Sequence, residues 1–545
     1  MDRRLRPPAG LLVVSVLAGC ASSRPADVRS GPLANGASGP APAASTAAPT
    51  PLYGNLGPHS RPIVTSSDRA QAYFDEGLLF MYAFGTGIAL ESFRAAQDED
   101  PGCAACRWGE AWALSPYLNG GMDADAEREA YAAIREAEAR AAGASDVERA
   151  LIEAFLVRYD AQPTPDKRKA LDSLYAERMG EVAARFPDDL DVQTLWAEAL
   201  MLLRPRRGSV DLDAPDVRRI LPILEGVLAR DIRHPGACHL YIHLVEASSE
   251  PGRGEACATH LGDAIAVSHV RHMPSHIYMN IGRYGDAVRG NQRAWHADQM
   301  AAHGGPPGVY PSHNLHMLLF AAVMDGQSAV AIQAARDLAR EQPAWAWYVP
   351  VTLSIFGRWT EVLELGPEPD DPFQAAMWRY ARGVAHLRIG AAEAAGDDLA
   401  RLDEIRAGIG PDERFRFHDQ ATLLGVPRGI LAAEIAWAAE RGDEAVTLLE
   451  EAIAVEDALV YDEPEPWHLP ARRVLGAILL ETDRAERAEA VFREALDDHP
   501  GSGWALFGLE RALRAQGKRA EADETRHAFE EAFRRADVWL RASRF

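Results

Sequence analysis

One spacing recurs in this chain and constrains its fold more than any other feature. Three residues near the C-terminus are each followed, 34 positions later, by an identical residue: Leu475 by Leu509, Leu479 by Leu513 and Ala488 by Ala522. A fixed period of this size is typical of arrays of short units that bury their apolar faces only by stacking on one another. Helical spacing of Ala, Leu, Glu and Arg is found throughout, whereas sustained apolar–polar alternation is not. The sequence therefore predicts an all-α solenoid.

The residues within each unit resemble the tetratricopeptide (TPR) repeat. Small residues at two positions let the helices of a hairpin approach closely, large apolar residues fill the space between them, and proline ends the second helix. The matching residues are Gly77, Phe80, Ala89, Phe93, Ala96 and Pro101 in the first repeat, and Leu475, Gly476, Leu479, Ala488, Phe492, Ala495 and Pro500 near the C-terminus. This resemblance implies a TPR-like right-handed α-solenoid of helix-turn-helix repeats over residues 67–545.

Several longer segments resemble a family of bacterial TPR-repeat proteins, many of which are exported. They are Phe80–Phe84, Cys106–Leu114, His234–Ala237, His272–Tyr278 and Gly503–Leu509. The resemblance spans most of residues 70–535, and it implies the fold and export rather than a particular reaction. One departure concerns an Asn-His pair that the family has after the position of Phe84, where this chain has Gly85-Thr86. Any role of that pair is therefore not carried over to this chain.

The first nineteen residues have the order of an export signal. Arginines at positions 3, 4 and 6 precede an apolar run at residues 11–16, which is too short to span a bilayer as a mature helix. The run leads into Leu17-Ala18-Gly19-Cys20, which resembles the lipobox of bacterial lipoproteins and implies that Cys20 is acylated after cleavage of residues 1–19. An ordinary secretory signal with an incidental cysteine is the alternative.

Residues 20–66 are rich in Ala, Pro, Ser and Gly and are predicted to form a disordered linker from the lipidated Cys20. No later segment approaches eighteen uninterrupted apolar residues, so the lipid anchor is the only membrane attachment that we expect. The residue after Cys20 is not Asp, which by resemblance to bacterial sorting rules favours the periplasmic side of the outer membrane. The formal charge of −23 argues against a nucleic-acid partner.

Histidines are strongly clustered. Eleven of the seventeen lie between His234 and His316. Residues three or four apart share one face of a helix, so such a pair can direct two imidazoles to one point. Three pairs stand out: His239 with His243, His272 with His276, and His313 with His316.

The three pairs predict a metal site in the concave groove of the solenoid. In TPR folds as a class, this groove is lined by positions 2, 5 and 9 of the first helix, where the repeat frame places His269, His272 and His276, and also His313 and His316 at positions 2 and 5. Neighbouring first helices stack about 8–10 Å apart, so their imidazoles can share an ion. An all-histidine site in an exported protein favours copper or zinc. Expected orienting partners are Glu246, Asp286, Asp298 and Asn314.

Two alternatives for the histidine pairs remain open. The imidazoles would otherwise recognise a peptide or acidic ligand in the groove, or serve packing alone. An ion with an open coordination position would make the protein a metal-dependent enzyme acting in the groove. Pro274 lies inside the second pair and is expected to kink the helix, which either aims the two rings or takes them off one face. The sequence therefore predicts a membrane-anchored TPR-repeat protein whose groove binds a metal ion, a protein or peptide ligand, or both.

Two other segments are candidates for a role. Cys103-Ala-Ala-Cys106 opens a helix, where the dipole lowers thiol pKa; redox or metal chemistry is possible there, and a structural or disulfide role is predicted. The loop from Glu463 to His468 either covers the groove or is a plain connection. The sequence has no glycine-rich phosphate loop, no GxSxG turn and no HExxH motif.

Overall fold

The computed structural model describes residues 50–205 and 208–545. The predicted export signal at residues 1–19, the predicted lipidation site Cys20 and most of the predicted linker lie outside the described residues, so they stay predictions. Residues 52–545 form one unit.

Helices make up nearly all of the regular structure in residues 50–205 and 208–545, as predicted. The first half contains α1 (Asp68–Tyr82), α2 (Thr86–Glu99), α3 (Ala104–Ala113), α4 (Ala124–Arg140), α5 (Asp146–Leu156), α6 (Pro165–Arg185), α7 (Leu190–Met201), α8 (Val217–Arg230), α9 (Pro235–Val245), α10 (Glu255–Ala264), α11 (Ser268–His272), α12 (Pro274–Asn280) and α13 (Tyr284–Met300).

The second half continues the helical array and adds one minimal hairpin, β1 (Arg414–Phe415) with β2 (His418–Asp419), paired antiparallel. Its helices are α14 (Pro311–Met324), α15 (Ser328–Glu341), α16 (Tyr348–Ile355), α17 (Trp359–Glu364), α18 (Pro372–Arg388), α19 (Ala392–Gly408), α20 (Gln420–Leu423), α21 (Gly425–Ala438), α22 (Gly442–Asp457), α23 (Ala471–Glu481), α24 (Ala485–Asp498), α25 (Gly503–Ala515) and α26 (Arg519–Ala532). Short 3₁₀ segments lie at Ala141–Gly143, Pro251–Gly254, Ala301–His303 and Pro343–Trp345.

The residues at the predicted repeat positions make the predicted contacts between the two helices of a hairpin. Phe93 of α2 lies so close to Gly77 of α1 that a Cβ atom there would fall 2.6 Å from its ring. The last full repeat copies this arrangement, because a Cβ on Gly476 of α23 would fall 2.4 Å from the ring of Phe492. Neither distance is sterically allowed, so glycine at this position lets each hairpin close on its phenylalanine. The all-α, TPR-like prediction is confirmed.

The apolar core has two main clusters, which divide the chain near its middle. The first runs from Leu56 to Val309 and the second from Ala287 to Leu540. In each half a late helix returns to an early one: α9 packs against α1, and in α25 the Trp504 indole N–H donates to the Val323 carbonyl of α14 at 2.9 Å. Helices α9 to α14 lie where one cluster ends and the other begins, and they bear most of the clustered histidines.

The N-terminal segment before α1 differs from its expected structure. Residues 52–66 were expected to belong to the linker, but Leu56 is buried and its carbonyl accepts a hydrogen bond from Ala266 N at 2.6 Å. Arg61 is also buried and donates to both Asp189 and Asp191. The boundary at residue 66 was therefore placed too late, because polar contacts that composition does not reveal hold this segment.

Among the described residues, the stretch Gln420–Ala438 is long and apolar enough to cross a membrane by length and composition. However, 61% of its most apolar window is buried inside the protein. Ile430 and Leu431 belong to the second apolar cluster, so this stretch is a core helix of the solenoid.

Candidate metal centre

Six histidines from four neighbouring helices meet in two groups of three. In each group the candidate ligand atoms lie within 4.8 Å of one another. The first triad is His239 and His243 of α9 with His269 of α11; the second triad is His272 of α11, His276 of α12 and His313 of α14.

The two triads form one continuous cluster of rings. Ring centroids within the second triad are 4.6–5.8 Å apart. Across the triads the distances are similar, 5.2 Å from His269 to His272 and 5.7 Å from His243 to His276. We call the two triads together the six-histidine cluster.

Pro274 produces the close contact within the second triad. It is the first residue of α12, so the chain breaks between α11 and α12 at the residue that cannot continue the hydrogen-bond ladder. His272 and His276 flank this break, and their Nε2 atoms lie 2.9 Å apart. The kink therefore aims the two rings at each other, which is the first of the two outcomes expected for it.

In the first triad, the outer ring nitrogens are held and the inner ones are left without partners. His239 Nδ1 donates to the Tyr82 carbonyl oxygen at 2.6 Å, and His243 Nδ1 donates to Glu246 Oε1 at 2.8 Å. The Nε2 atoms of both rings, and both nitrogens of His269, have no hydrogen-bond partner among the described residues. Buried polar atoms are rarely left in this state, because each costs free energy without a partner.

The second triad is oriented in the same way. His272 Nδ1 lies 3.1 Å from Asn291 Oδ1, and the amide direction is fixed because Asn291 Nδ2 donates to the Ala287 carbonyl. His276 Nδ1 faces Glu246 Oε2, and it is 3.2 Å from Glu463 Oε2. His272 Nδ1 therefore donates to an amide oxygen, and His276 Nδ1 lies at ion-pair distance from two carboxylates. The two Nε2 atoms then direct lone pairs at each other, an arrangement that requires a proton or a metal ion between them.

A single carboxylate orients one ring in each triad. Glu246 is 3% exposed, with Oε1 on His243 and Oε2 on His276. Burial would raise the pKa of Glu246, but His276 and His243 hold it well below its usual range. Carboxylates that hold the outer nitrogen of a histidine are the usual second layer of a metal site, since they fix the ring and raise its basicity.

The pKa values favour neutral imidazoles at four of the six rings and a protonated one at His276. Burial, together with neighbouring imidazoles, lowers the pKa of four rings well below the ordinary histidine value, those of His239, His269, His272 and His313. Burial acts in the same direction on His276, but Glu246 and Glu463 outweigh it and raise its pKa to about 10. In the absence of metal, His276 therefore holds the proton between the facing Nε2 atoms, and an ion entering there must displace it.

A cavity of about 300 Å³ opens onto both triads. His243 and His269 of the first triad and His276 and His313 of the second line it, while His239 and His272 lie behind them. The lining also includes the apolar residues Leu118, Met201, Pro205, Val210 and Leu244 and the polar or charged residues Arg204, Glu246, Arg416, Tyr461, Asp462 and Glu463. The loop after α22 thus reaches the cavity, so it covers the site rather than merely connecting two helices.

Five of the six predicted ligands meet here, and His316 does not. Its Nε2 lies 3.2 Å from Nε2 of His468, and its Nδ1 faces Arg416. His316 is almost one turn beyond His313 along α14, which carries it past the second triad. His269 takes the sixth place instead; the repeat frame put it at a groove position, but it was not selected as a ligand because its neighbour at helical spacing, His272, was paired with His276.

The expected orienting partners are mostly wrong. Glu246 is the one that touches the cluster; Asp286 pairs with Arg283 and Arg289, and Asn314 donates to Asp298. Asn291, which does orient a ring, gave no signal in sequence because it lies on the following helix of the hairpin.

The four cysteines among the described residues form two disulfides, so none of them is available as a metal ligand. Cys103 bonds Cys106, as expected for a structural role, and Cys238 bonds Cys257. The second bridge ties α9, which carries His239 and His243, to α10.

A separate group of ligand-type residues lies near α1. His59, Asp191 and His234 also bring their ligand atoms within 4.8 Å of one another. Here Asp191 receives hydrogen bonds from the Tyr82 hydroxyl at 2.6 Å and from Arg61 at 3.1 Å. We call these five residues the Asp191 cluster.

No family model and no curated protein matches this chain. Among solved structures, it is similar to a putative kinesin light chain with TPR-like repeats from Podosopora anserina, at 18% identity, covering 42% of this chain and 99% of that one with a TM-score of 0.24. It is also similar to MamA (14% identity, 43% and 99%, TM-score 0.21) and to the P58(IPK) TPR domain (12% identity, 82% and 98%, TM-score 0.20). At these scores the likenesses say nothing of ligand or activity. They are likenesses to TPR and TPR-like proteins in the type of helical repeat.

Proposed function

We propose that this protein binds two transition-metal ions, one in each histidine triad, and that copper is the ion it takes. The observation that carries the proposal is the direction of the ring nitrogens. In the first triad the Nδ1 atoms of His239 and His243 donate to oxygen acceptors, so their Nε2 atoms point inward without a partner among the described residues. In the second triad the Nε2 atoms of His272 and His276 face each other at 2.9 Å.

The chemistry of the ligands selects the class of metal. Imidazole nitrogen suits copper, zinc, nickel and iron, whereas calcium and magnesium require oxygen ligands. Copper is favoured because it leads the affinity order for divalent ions at nitrogen sites, and because three neutral imidazoles also suit its monovalent state. Zinc is the competing ion, as a three-histidine set with one open position is also found in zinc enzymes.

The cavity supports a small ligand rather than a peptide. Its volume of about 300 Å³ lies at the small end of the range for sites that enclose small molecules. Three protein ligands leave each ion an open position, and four of the six rings face this space. These features favour a metal-dependent enzyme over a scaffold that docks a partner protein. The lipid anchor and the outer-membrane location rest on the sequence alone.

Metal stoichiometry after removal of one ligand from each triad tests the proposal. His269→Ala and His313→Ala are the best variants, because neither ring has a hydrogen bond to a described residue that would be left unpaired, and His313 is only half-buried. The full chain is stripped with a chelator, loaded with copper or zinc, dialysed and measured by atomic emission. We expect two copper ions in the wild type, about one in each variant and none in the double variant.

His316→Ala is the matched control. It removes another buried histidine of α14 that faces His468 rather than the triads, so it should retain both ions. A wild-type chain that emerges from dialysis without copper would end the proposal. Equal loading of zinc in direct competition with copper would leave the site but refute the choice of metal.

A further inference from the structure

We infer that the two ions act as a single pair that binds dioxygen between them in the cavity. This inference rests on the proposed function and extends it to the ligand of the site. It depends on how the two triads are placed relative to the cavity.

Each triad presents two rings to the cavity and keeps one behind. His243 and His269 line it from the first triad and His276 and His313 from the second, while His239 and His272 do not belong to its lining. The open side of each three-coordinate ion therefore faces the same space. A ligand that enters the cavity meets both ions from one side.

The triads are close enough for one small ligand to bridge the ions. Rings of different triads approach to 5.2 Å and 5.7 Å between centroids, within the range found inside the second triad. Metal pairs about 3.5–4 Å apart are known to hold a ligand atom or group between them. The shared carboxylate of Glu246 holds His243 and His276 from outside, which fixes the spacing of the two halves.

The ligand set suits dioxygen rather than water activation. Both triads consist of imidazoles alone, and Glu246 and Glu463 approach Nδ1 of His276 rather than its inward Nε2 atom. Hydrolytic metal pairs commonly have carboxylate oxygen ligands, whereas purely neutral imidazoles let each copper exist as a monovalent ion. Leu118, Met201 and Val210 supply an apolar part of the lining, against which a neutral diatomic molecule can pack.

The binding step balances without a further reactant. Each of two cuprous ions gives one electron, and dioxygen accepts both electrons and becomes a bridging peroxide dianion; one of its two O–O bonds is lost and no proton is transferred. The charge of the dianion is matched by the increase of one positive charge on each copper. Loss of dioxygen returns both electrons to the metal ions.

Oxygen uptake by the reduced, copper-loaded full chain tests the inference. The protein with its two coppers is reduced with dithionite under argon, freed of reductant and titrated with air-saturated buffer, while uptake, near-ultraviolet absorption and the electron paramagnetic resonance spectrum are recorded. We expect one dioxygen per two coppers, a new charge-transfer band, and loss of the cupric resonance because a bridging ligand couples the two spins. His316→Ala should behave as the wild type.

His313→Ala separates this inference from the proposed function. The variant should keep about one copper in the first triad, take up no stoichiometric dioxygen and show the resonance of an isolated cupric ion after oxidation. A wild type that holds two coppers but shows two isolated cupric resonances and no uptake in a one-to-two ratio would overturn the dioxygen pair and leave metal binding intact. A wild type that holds no copper would overturn both.

Discussion

The six-histidine cluster and the Asp191 cluster are two buried groups of ligand-type residues with opposite hydrogen bonding. Both bring at least three such groups within 4.8 Å. In the Asp191 cluster the acceptor is in the centre, and donors surround it. In the six-histidine cluster the oxygen acceptors lie at Nδ1 atoms, and the central Nε2 atoms have either no hydrogen-bond partner among the described residues or only another imidazole.

Both carboxylate oxygens of Asp191 already have partners. Asp191 Oδ1 is 2.6 Å from the Tyr82 hydroxyl, 3.0 Å from His59 and 3.2 Å from His234, while Oδ2 accepts from Arg61. Burial would raise the pKa of Asp191, but His234, His59 and Arg61 hold it well below its usual value. The guanidinium already supplies the positive charge that a metal ion would bring, so this cluster is a structural clamp for residues 52–66. Proximity of ligand-type residues is therefore a weaker criterion than which of their atoms are already occupied.

The largest effect is expected when the clamp is broken. Asp191→Ala should lower the free energy of unfolding by about 3 kcal/mol or more, because it leaves the buried Arg61 with Asp189 as its remaining partner. Urea unfolding of the metal-free chain measures this change. Copper stoichiometry should stay at the wild-type value.

Asp213→Ala is a suitable control for the clamp. Asp213 forms an exposed ion pair with Arg218, so its removal should change stability by less than about 1 kcal/mol. If Asp191→Ala instead released copper, the contrast between the two clusters would be wrong.

A smaller effect is expected at the carboxylate that joins the triads. Glu246→Gln keeps the shape of the side chain but leaves one acceptor oxygen for two imidazole N–H groups. Copper affinity should fall about 10- to 100-fold, the usual cost of losing an orienting group behind a metal ligand. A competition titration against a chelator of known affinity gives the value.

Glu434→Gln provides the matched comparison. Glu434 is equally buried but pairs with Arg388 and Arg544, far from any triad in sequence and contact. It should leave copper affinity unchanged while reducing stability. Equal copper affinity in both glutamine variants would show that Glu246 does not orient the ligands.

The smallest effect is a difference in acid sensitivity. Because the folded pKa of Asp191 is lowered, its stabilisation is fully present above the unfolded value of about 3.9 and is lost as pH falls below that value towards the folded one. Between about pH 4 and pH 3, the wild type should lose about 1 kcal/mol more than Asp191→Asn. Urea midpoints at the two pH values, in the presence of a chelator, report this difference. Parallel losses in both chains would mean that Asp191 gains nothing from its partners.

The repeat could be read from sequence because steric contacts impose it. A glycine opposite Phe93 and another opposite Phe492 are the residues that permit a close hairpin, and those identities are visible as letters at a fixed spacing. The histidine pairs on single helices were visible for the same reason, since helical geometry fixes which residues share a face.

Contacts between side chains of different hairpins were harder to predict from the sequence. His316 has the spacing of a partner to His313 but turns to His468, which arrives from a loop more than a hundred residues later. Asn291 and the clamp around Asp191 also join distant parts of the chain. Such contacts depend on how successive hairpins are rotated, which the pattern within one repeat does not encode.

The Glu246 carboxylate, which contacts both His243 and His276, couples metal binding in the two triads. When an ion displaces the proton held by His276, the cation that faces Glu246 Oε2 changes from an imidazolium to a metal-bound imidazole, and the attraction that remains for the ring of His243 changes with it. Binding of an ion in one triad therefore changes the metal affinity of the other triad. Thermodynamic reciprocity requires that the influence be equal in both directions, so the first and second ions should not be taken up as independent events.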